Sequence, residues 1–191
     1  MMEDNAQPNN SDPTADSISE KPSNPVTNET EGTETGILND RGKAIGFDLE
    51  KVISSHILNS GGRDDIPWIA VEPEHIVSVA TLCRDDPKLQ MDLLHCLFAV
   101  DYETSIQVVY ILFSIALNKK AMLKVNLDPD DPRIPSITSI WEAAEWYERE
   151  THDLFEVVFE GNSNLTPLIL YDGFPGFPGR KNFPLHDYKE Y

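Results

Sequence analysis

The chain has 191 residues, of which 33 are acidic and 15 basic, so its formal net charge at pH 7 is −18. This length allows one ordinary domain with tails and a sizeable core. The acidic balance argues against nucleic acid and anionic lipid as direct partners, because both are polyanions. The longest apolar run, residues 106–117, is too short to cross a bilayer, so we expect no membrane-spanning segment.

The first 42 residues are predicted to be a disordered acidic tail. Residues 1–40 carry nine acidic side chains against one basic side chain, Lys21. They have few apolar side chains, so they cannot bury enough surface to offset the entropy lost on ordering. They also lack the features of signal and transit peptides, which favours a cytosolic, prokaryotic setting.

Residues 43–160 are predicted to form one domain that begins α-β-α. Apolar residues from Leu49 to Ile57 repeat with helical spacing, and Gly61-Gly62 is expected to end that helix. Residues 68–71 form a short apolar run. Pro73 is well placed to open a second helix whose inward residues are Ile76, Val79, Ala80 and Cys83.

Three strand candidates follow, at residues 91–102, 106–117 and 121–128. The middle one is apolar on both faces and the last alternates cleanly. Their short connections predict antiparallel pairing. The Pro- and Asp-rich stretch 128–135 predicts an extended crossing to the next helix. The fold class is therefore α+β, with a mostly antiparallel sheet and helices packed on one side.

A long C-terminal helix is predicted to begin near Ser139 and Glu142, which have capping-box spacing. Its apolar positions fall on one face: Ile140, Ala144, Tyr147, Thr151, Leu154 and Val158. Arg149 is expected on the opposite face, flanked by Glu145 and Asp153.

Glu148 and Glu150 are expected at the two edges of the apolar stripe of this helix. In an arbitrary helix, such charges form a solvated face of ion pairs. A metal site built from Glu148 and His152 is the alternative, but neither a second ExxH helix nor an HExxH motif accompanies them. An enzyme using this helix is therefore the weaker hypothesis.

No other cofactor or metal site is predicted. Cys83 and Cys96 lack CxxC or CxxH spacing and are expected to be reduced core residues. His56 and His75 lie on predicted helices without a matching ligand nearby.

Residues 161–191 are predicted to be an extended Pro/Gly/aromatic tail, because their prolines and glycines prevent a helix or a central strand from propagating. The tail is also too apolar for a linker in water. It therefore needs a surface to pack on, either its own domain or another protein. Its apolar side chains are Leu168, Ile169, Leu170, Tyr171, Phe174, Phe177, Phe183 and Leu185.

WYERETHDLF at residues 146–155 and GFPGRKNFPL at 176–185 resemble the paired motifs of the 30 kDa subunit family of respiratory complex I, an NADH-quinone oxidoreductase. AVDY at 99–102 and the run that begins at Ile134 resemble that family too, and the resemblance covers about residues 47–188. Two places depart from it. Glu156 stands where the family has Gly, and GNSNLTP at 161–167 replaces GHPxLRR.

The resemblance implies a non-catalytic, cofactor-free structural subunit in the peripheral arm of a proton-translocating NADH:quinone oxidoreductase. The subunit would sit at the cytoplasmic face of a prokaryotic membrane and contact that membrane only through the complex. Its implied neighbours are the quinone-site (49 kDa-type) and iron–sulfur subunits. NAD, flavin, iron–sulfur clusters and quinone would be bound elsewhere in the complex. A related complex using ferredoxin, deazaflavin or hydrogenase chemistry, or a free-standing adaptor, are the alternatives.

The expected partner-binding residues lie on the last helix and on the tail. In the tail, Phe183 would fill a pocket, Pro184 would limit the ordering cost, and Arg180 would pair with a carboxylate of the neighbouring subunit. The full set is Glu148, Arg149, Glu150, Asp153, Phe174, Phe177, Arg180, Lys181, Phe183 and Pro184.

Overall fold

The structure is a computed structural model that describes residues 36–184. Its helices are α1 (Asp40–Ile53), α2 (Ile76–Asp85) and α3 (Ala144–Phe155), with a 3-10 turn at Pro73–His75 before α2. Its strands are β1 (Asn59–Arg63), β2 (Ile66–Ala70), β3 (Leu93–Asp101), β4 (Ile106–Ser114), β5 (Lys119–Leu127), β6 (Arg133–Pro135) and β7 (Val158–Glu160). Within residues 36–184, each helix is too short or too polar to span a bilayer.

The main sheet has five strands in the order β1-β2-β5-β4-β3, and β6 pairs with β7 separately. Neighbours in the main sheet are antiparallel except β2 and β5, which are parallel. Ile69, Leu123 and Tyr110 lie side by side on its buried face. Apolar residues of α1 and α2 join the same core. The predicted α+β class and mostly antiparallel sheet are confirmed.

The ordered domain begins earlier than predicted. Leu38 bridges to Asp64 beside β1, and the Asn39 side chain accepts a 2.8 Å hydrogen bond from the Gly42 N–H at the start of α1. Residues 36–42, which composition assigned to the disordered tail, therefore belong to the domain, because a helix cap and a β-bridge fix them. The rest of that predicted tail, residues 1–35, lies outside the described residues.

Gly61-Gly62 does not end the first helix, which already stops at Ile53. Both glycines lie in β1, where Gly61 pairs with Trp68 of β2. A Cβ at residue 61 would lie 2.7 Å from Cζ2 of Trp68. The glycine is thus required by the close approach of the indole and not by a helix terminus.

The last helix, α3, has 12 residues and is shorter than predicted. Ser139 and Glu142 do not form a capping box, since Ala143 is the N-cap residue and makes no side-chain hydrogen bond there. The helix ends where Glu156 adopts φ 68°, a left-handed conformation that glycine takes most easily. Val158 then lies in β7 and not on the helix.

Candidate functional site

Glu148 of α3 is fully buried, although it was expected at the edge of an exposed face. Its carboxylate accepts hydrogen bonds from the Ser136 Oγ–H at 2.8 Å, the Ile137 N–H at 2.9 Å and the Asn162 side-chain amide at 2.9 Å. Burial raises the pKa of Glu148, and these three hydrogen bonds offset part of that rise. Glu148 therefore joins α3 to the segment after β6 and to the loop after β7.

Asp153 is buried too, and it fixes the path of the chain after the loop. One of its oxygens accepts the N–H groups of Leu168 at 3.1 Å, Ile169 at 2.8 Å and Leu170 at 2.8 Å. Burial acts to raise the pKa of Asp153, but these three bonds and nearby His152 outweigh it and lower the pKa below its usual range. Asp153 thus holds three consecutive residues of the tail against α3.

Arg149 bonds to main-chain carbonyls and is not an ion-pair partner of Glu145 and Asp153 as expected. Its guanidinium donates to the Thr166 and Pro167 oxygens, each at 3.1 Å. It also lies 5.2 Å from the centre of the Trp146 ring. Arg149 therefore connects the outer face of α3 to the tail.

Asn162 and Asn164 lie in the GNSNLTP stretch that departs from the family pattern. Asn162 bonds to Glu148, and the Asn164 side-chain amide donates to Glu145 at 3.3 Å. The departure therefore supplies its own contacts to α3.

Arg180 is bound within this chain, so the predicted pairing of its guanidinium with a neighbouring subunit is not what the structure shows. It donates to the carbonyls of Pro129 at 2.7 Å and Phe155 at 3.3 Å. Its side chain is 11% exposed and lies 3.6 Å from the Asp101 carboxylate. The chain's own loops and strand end thus supply its partners.

The residues on either side of Arg180 reinforce this tie. The N–H of Lys181 donates to Asp101 at 3.0 Å, and the N–H of Gly179 donates to the Leu154 carbonyl at 2.8 Å. Burial acts to raise the pKa of Asp101, but hydrogen bonds from the Lys181 and Glu103 N–H groups and the nearby cations lower it overall. The Lys181 side chain itself is half exposed and lies 3.6 Å from Glu103.

The described part of the tail, residues 161–184, is hereafter called the C-terminal segment. It follows a series of turns and is not extended, with hydrogen bonds such as Phe174 N–H to the Tyr171 carbonyl and Phe183 N–H to the Arg180 carbonyl. Its aromatic rings contact one another, and Phe174 stacks on Phe183 at 5.8 Å between ring centres. Phe177 lies edge-on to His152. Phe183 thus packs on its own segment, while Pro184 is exposed.

A cleft of about 160 Å³ lies between α3 and the C-terminal segment. Its lining includes His152, Leu165, Leu170, Phe174 and Phe177. It is too small for a drug-sized ligand and has the dimensions of an apolar side chain.

Large apolar side chains remain exposed on the outside of this assembly. The exposed fraction is 59% for Trp146, 56% for Ile169 and 67% for Tyr171, and Leu168 is also exposed. Arg149 makes the strip continuous, because it contacts the Trp146 ring and the residues just before Leu168. These four residues, Trp146, Leu168, Ile169 and Tyr171, are hereafter called the outer strip.

Residues 36–184 contain no group of three or more metal-ligating side chains. Glu148 and His152, the one pair considered for a metal, do not act together. Glu148 is occupied by its three donors, and Nδ1 of His152 lies 2.9 Å from the Val157 carbonyl. Cys83 is buried, which raises the pKa of its thiol to about 12, and Cys96 is a second free thiol.

Comparison with known proteins identifies the family. The sequence profile described as "Respiratory-chain NADH dehydrogenase, 30 Kd subunit" matches residues 69–189. The chain belongs to this family. The match includes α3 and the whole C-terminal segment, so the features described above lie within the 30 Kd subunit domain.

Relatives with this domain are similar along most of their length. The C-type subunit of NADH-quinone oxidoreductase from Roseiflexus sp. (strain RS-1) is 40% identical over 141 residues, which cover 72% of this chain and 80% of the relative. A C-type subunit of NADH-quinone oxidoreductase from Rhizobium meliloti (strain 1021) is 36% identical over 135 residues, covering 69% and 74%.

Two solved structures share the fold. A chain of the membrane-bound sulfane sulfur reductase (MBS), an archaeal respiratory membrane complex, superposes with a TM-score of 0.65 at 30% identity, covering 76% of this chain and 87% of that one. The trypsin-resistant fragment (1-134) of Nqo5 superposes with a TM-score of 0.53 at 24% identity, covering 65% and 99%, and shows the fold alone. The resemblance drawn from the sequence motifs is confirmed for the family.

Sequence patterns did not assign roles to Trp146, Leu168, Ile169 and Tyr171 or to the buried Glu148. Helical periodicity ranks positions by apolarity, so it places a glutamate outside whenever its partners are far along the chain. The available indication was the number of apolar side chains in a segment that cannot form a helix or strand.

Proposed function

We propose that this protein is a non-catalytic structural subunit in the peripheral arm of an ion-translocating NADH:quinone oxidoreductase, and that it binds no redox cofactor. The outer strip is the observation that supports this role. Soluble monomers usually scatter their exposed apolar residues, whereas here four large ones lie together around an arginine. Trp, Tyr and Arg are also the residue types that contribute most at protein interfaces.

The polar contacts beneath the outer strip make it suited to docking. Asp153 fixes Leu168 and Ile169 through their N–H groups, and Arg149 fixes the carbonyls just before them. A surface held in one conformation loses little entropy when a partner binds. We therefore assign the partner contact to the outer face of α3 and the C-terminal segment.

The residues expected to bind a partner divide into two groups under this proposal. Glu148, Asp153 and Arg180 act through the fold, because their charged groups bond within the chain. Side chains that remain at least partly accessible can touch the partner: Arg149, Glu150, Phe174, Phe177, Lys181, Phe183 and Pro184.

We propose the quinone-site (49 kDa-type) and iron–sulfur subunits as the partners. NAD, flavin, iron–sulfur clusters and quinone would then be held elsewhere in the complex, which would lie at the cytoplasmic face of a prokaryotic membrane. The relatives named as subunits of NADH-quinone oxidoreductase favour NADH as the electron donor.

A related complex with a different electron donor or acceptor is the second candidate. It is favoured by the similarity to a chain of the sulfane sulfur reductase complex, at 30% identity. The two candidates share the docking role and differ only in the partners that would be recovered.

Affinity purification of the tagged full chain from native membranes, followed by mass spectrometry, tests the proposal. Wild-type chain should recover quinone-site and iron–sulfur subunits at fixed stoichiometry, and the NADH-oxidising subunits distinguish the two candidates. A Trp146→Glu, Ile169→Glu variant should recover at least tenfold less. Phe47→Glu is the matched control, because Phe47 is an equally exposed aromatic residue on α1.

Recovery of no oxidoreductase subunit by the wild-type chain would overturn the function and favour a free-standing adaptor. Normal recovery by the double variant would keep the function but remove the outer strip as its docking surface.

A further inference from the structure

His56 and His75, nineteen positions apart, are brought together by the fold on the side of the domain formed by α1 and α2. Their ring centres are 4.3 Å apart and the rings are tilted by 45°. His56 follows the end of α1, with its N–H on the Ile53 carbonyl, and His75 ends the 3-10 turn that leads into α2. Sequence spacing had left each histidine without a matching ligand.

The two rings are not explained by other contacts in the described residues. Nδ1 of His56 is buried and has no hydrogen-bond partner. His152, by contrast, has a ring nitrogen 2.9 Å from a carbonyl. A buried ring nitrogen without a partner is unfavourable, so a ligand that bonds to it would remove that cost.

The distance between the rings suits a shared metal ion. Two imidazoles that bind one ion at nitrogen–metal distances of about 2.0–2.1 Å have ring centres roughly 4.5–5.3 Å apart. The observed 4.3 Å needs only a small opening of the pair to reach that range. Both side chains are partly exposed, so an ion can enter from solvent.

We propose that His56 and His75 form a binding site for a divalent transition-metal ion of the Zn²⁺ or Cu²⁺ type. Imidazole nitrogen is a preferred ligand of these ions and a poor one for Mg²⁺ or Ca²⁺. Since residues 36–184 hold no cluster of three ligating side chains, water completes the coordination. The ion is structural and joins the end of α1 to the start of α2.

Zn²⁺ titration of the untagged full chain by isothermal calorimetry tests the site. We expect one saturable site per chain, with affinity falling at least tenfold in both His56→Ala and His75→Ala. His95→Ala is the matched control, because His95 is an exposed histidine on β3 and should leave the titration unchanged. The acidic side chains of residues 1–35 can add weak binding, and none of these substitutions alters it.

Electron paramagnetic resonance of the wild-type chain with one equivalent of Cu²⁺ tests the ligands without relying on a variant that must fold. We expect hyperfine splitting from two imidazole nitrogens. The proposal is overturned by a signal showing fewer than two nitrogens, by the lack of a saturable Zn²⁺ site, or by Zn²⁺ affinity that survives either alanine substitution.

Discussion

The sheet core and the C-terminal segment are held in place by different forces. In the core, α1, α2 and one face of the sheet bury apolar side chains against one another. The C-terminal segment is instead tied by charged side chains that bond to main-chain groups. Asp153 accepts three N–H groups, and Arg180 donates to two carbonyls.

The difference shows how the protein can keep apolar residues exposed in a fixed position. Apolar burial is non-directional, so a segment held only by its apolar side chains would turn them inward. Charged hydrogen bonds are directional and act on the backbone, which leaves the side chains of Ile169 and Tyr171 free to face outward. Substitutions of the tying residues should therefore loosen the segment, and substitutions of the outer strip should not.

The largest effect is expected from Glu148→Ala, because it leaves three donors unpaired inside the protein. We expect the free energy of unfolding to fall by about 3 kcal/mol, comparable to the loss of a buried leucine side chain. Urea unfolding of the full chain measures this. Glu145→Ala, an exposed neighbour on the same helix, should change stability by less than about 0.5 kcal/mol. Equal effects of the two substitutions would show that the Glu148 contacts do not stabilise the domain.

A smaller and local effect is expected from Asp153→Ala. Hydrogen exchange of the amides of residues 168–170 should speed up by roughly 30-fold, equivalent to about 2 kcal/mol, because their acceptor is lost. Exchange in β4 and β5 should stay slow. Asp153→Asn keeps one acceptor oxygen and should show a smaller change. Uniform acceleration throughout the sheet would mean that the segment is part of the core and not separately tied.

The two buried carboxylates should affect stability with opposite dependence on pH. Glu148 has a raised pKa, so its contribution is present below the unfolded value near 4.5 and is lost as the pH rises through its folded pKa. Asp153 has a lowered pKa, so its contribution is present above 3.8 and is lost as the pH falls through its folded pKa. Unfolding of Glu148→Gln and Asp153→Asn between pH 3 and pH 8 measures both differences from wild type. The same direction of change in both variants would contradict the assignment.

The smallest effect is expected from Arg149→Ala. Arg149 bonds two carbonyls at a partly exposed position, so its loss should cost within about 1 kcal/mol of unfolding free energy. Fluorescence of Trp146, whose ring it covers, should report the local change more clearly than urea unfolding. A loss above about 3 kcal/mol would indicate a buried ion pair, which the contacts of Arg149 do not show.

The same comparison explains what could be predicted from the sequence. The strands and the α2 helix follow from apolar periodicity, which reports burial against the core. The start of α3 and the burial of Glu148 did not follow, because Ser136 and Asn162 meet that carboxylate only in three dimensions. The family motif GRKNFPL was recognised, but its arginine was assigned to another subunit, since a sequence does not show whether a tail folds back on its own domain.

Hydroxyl-radical footprinting of the isolated chain and of the assembled membrane complex tests most directly whether the outer strip is the docking surface. Oxidation of Trp146 and Tyr171 should be fast in the isolated chain, where both are exposed, and should fall several-fold on assembly. Oxidation of Phe47, on α1, should stay the same and serves as the internal reference. Unchanged oxidation of Trp146 and Tyr171 in the complex, together with protection of Phe47, would place the partner on the opposite side of the domain and contradict the account.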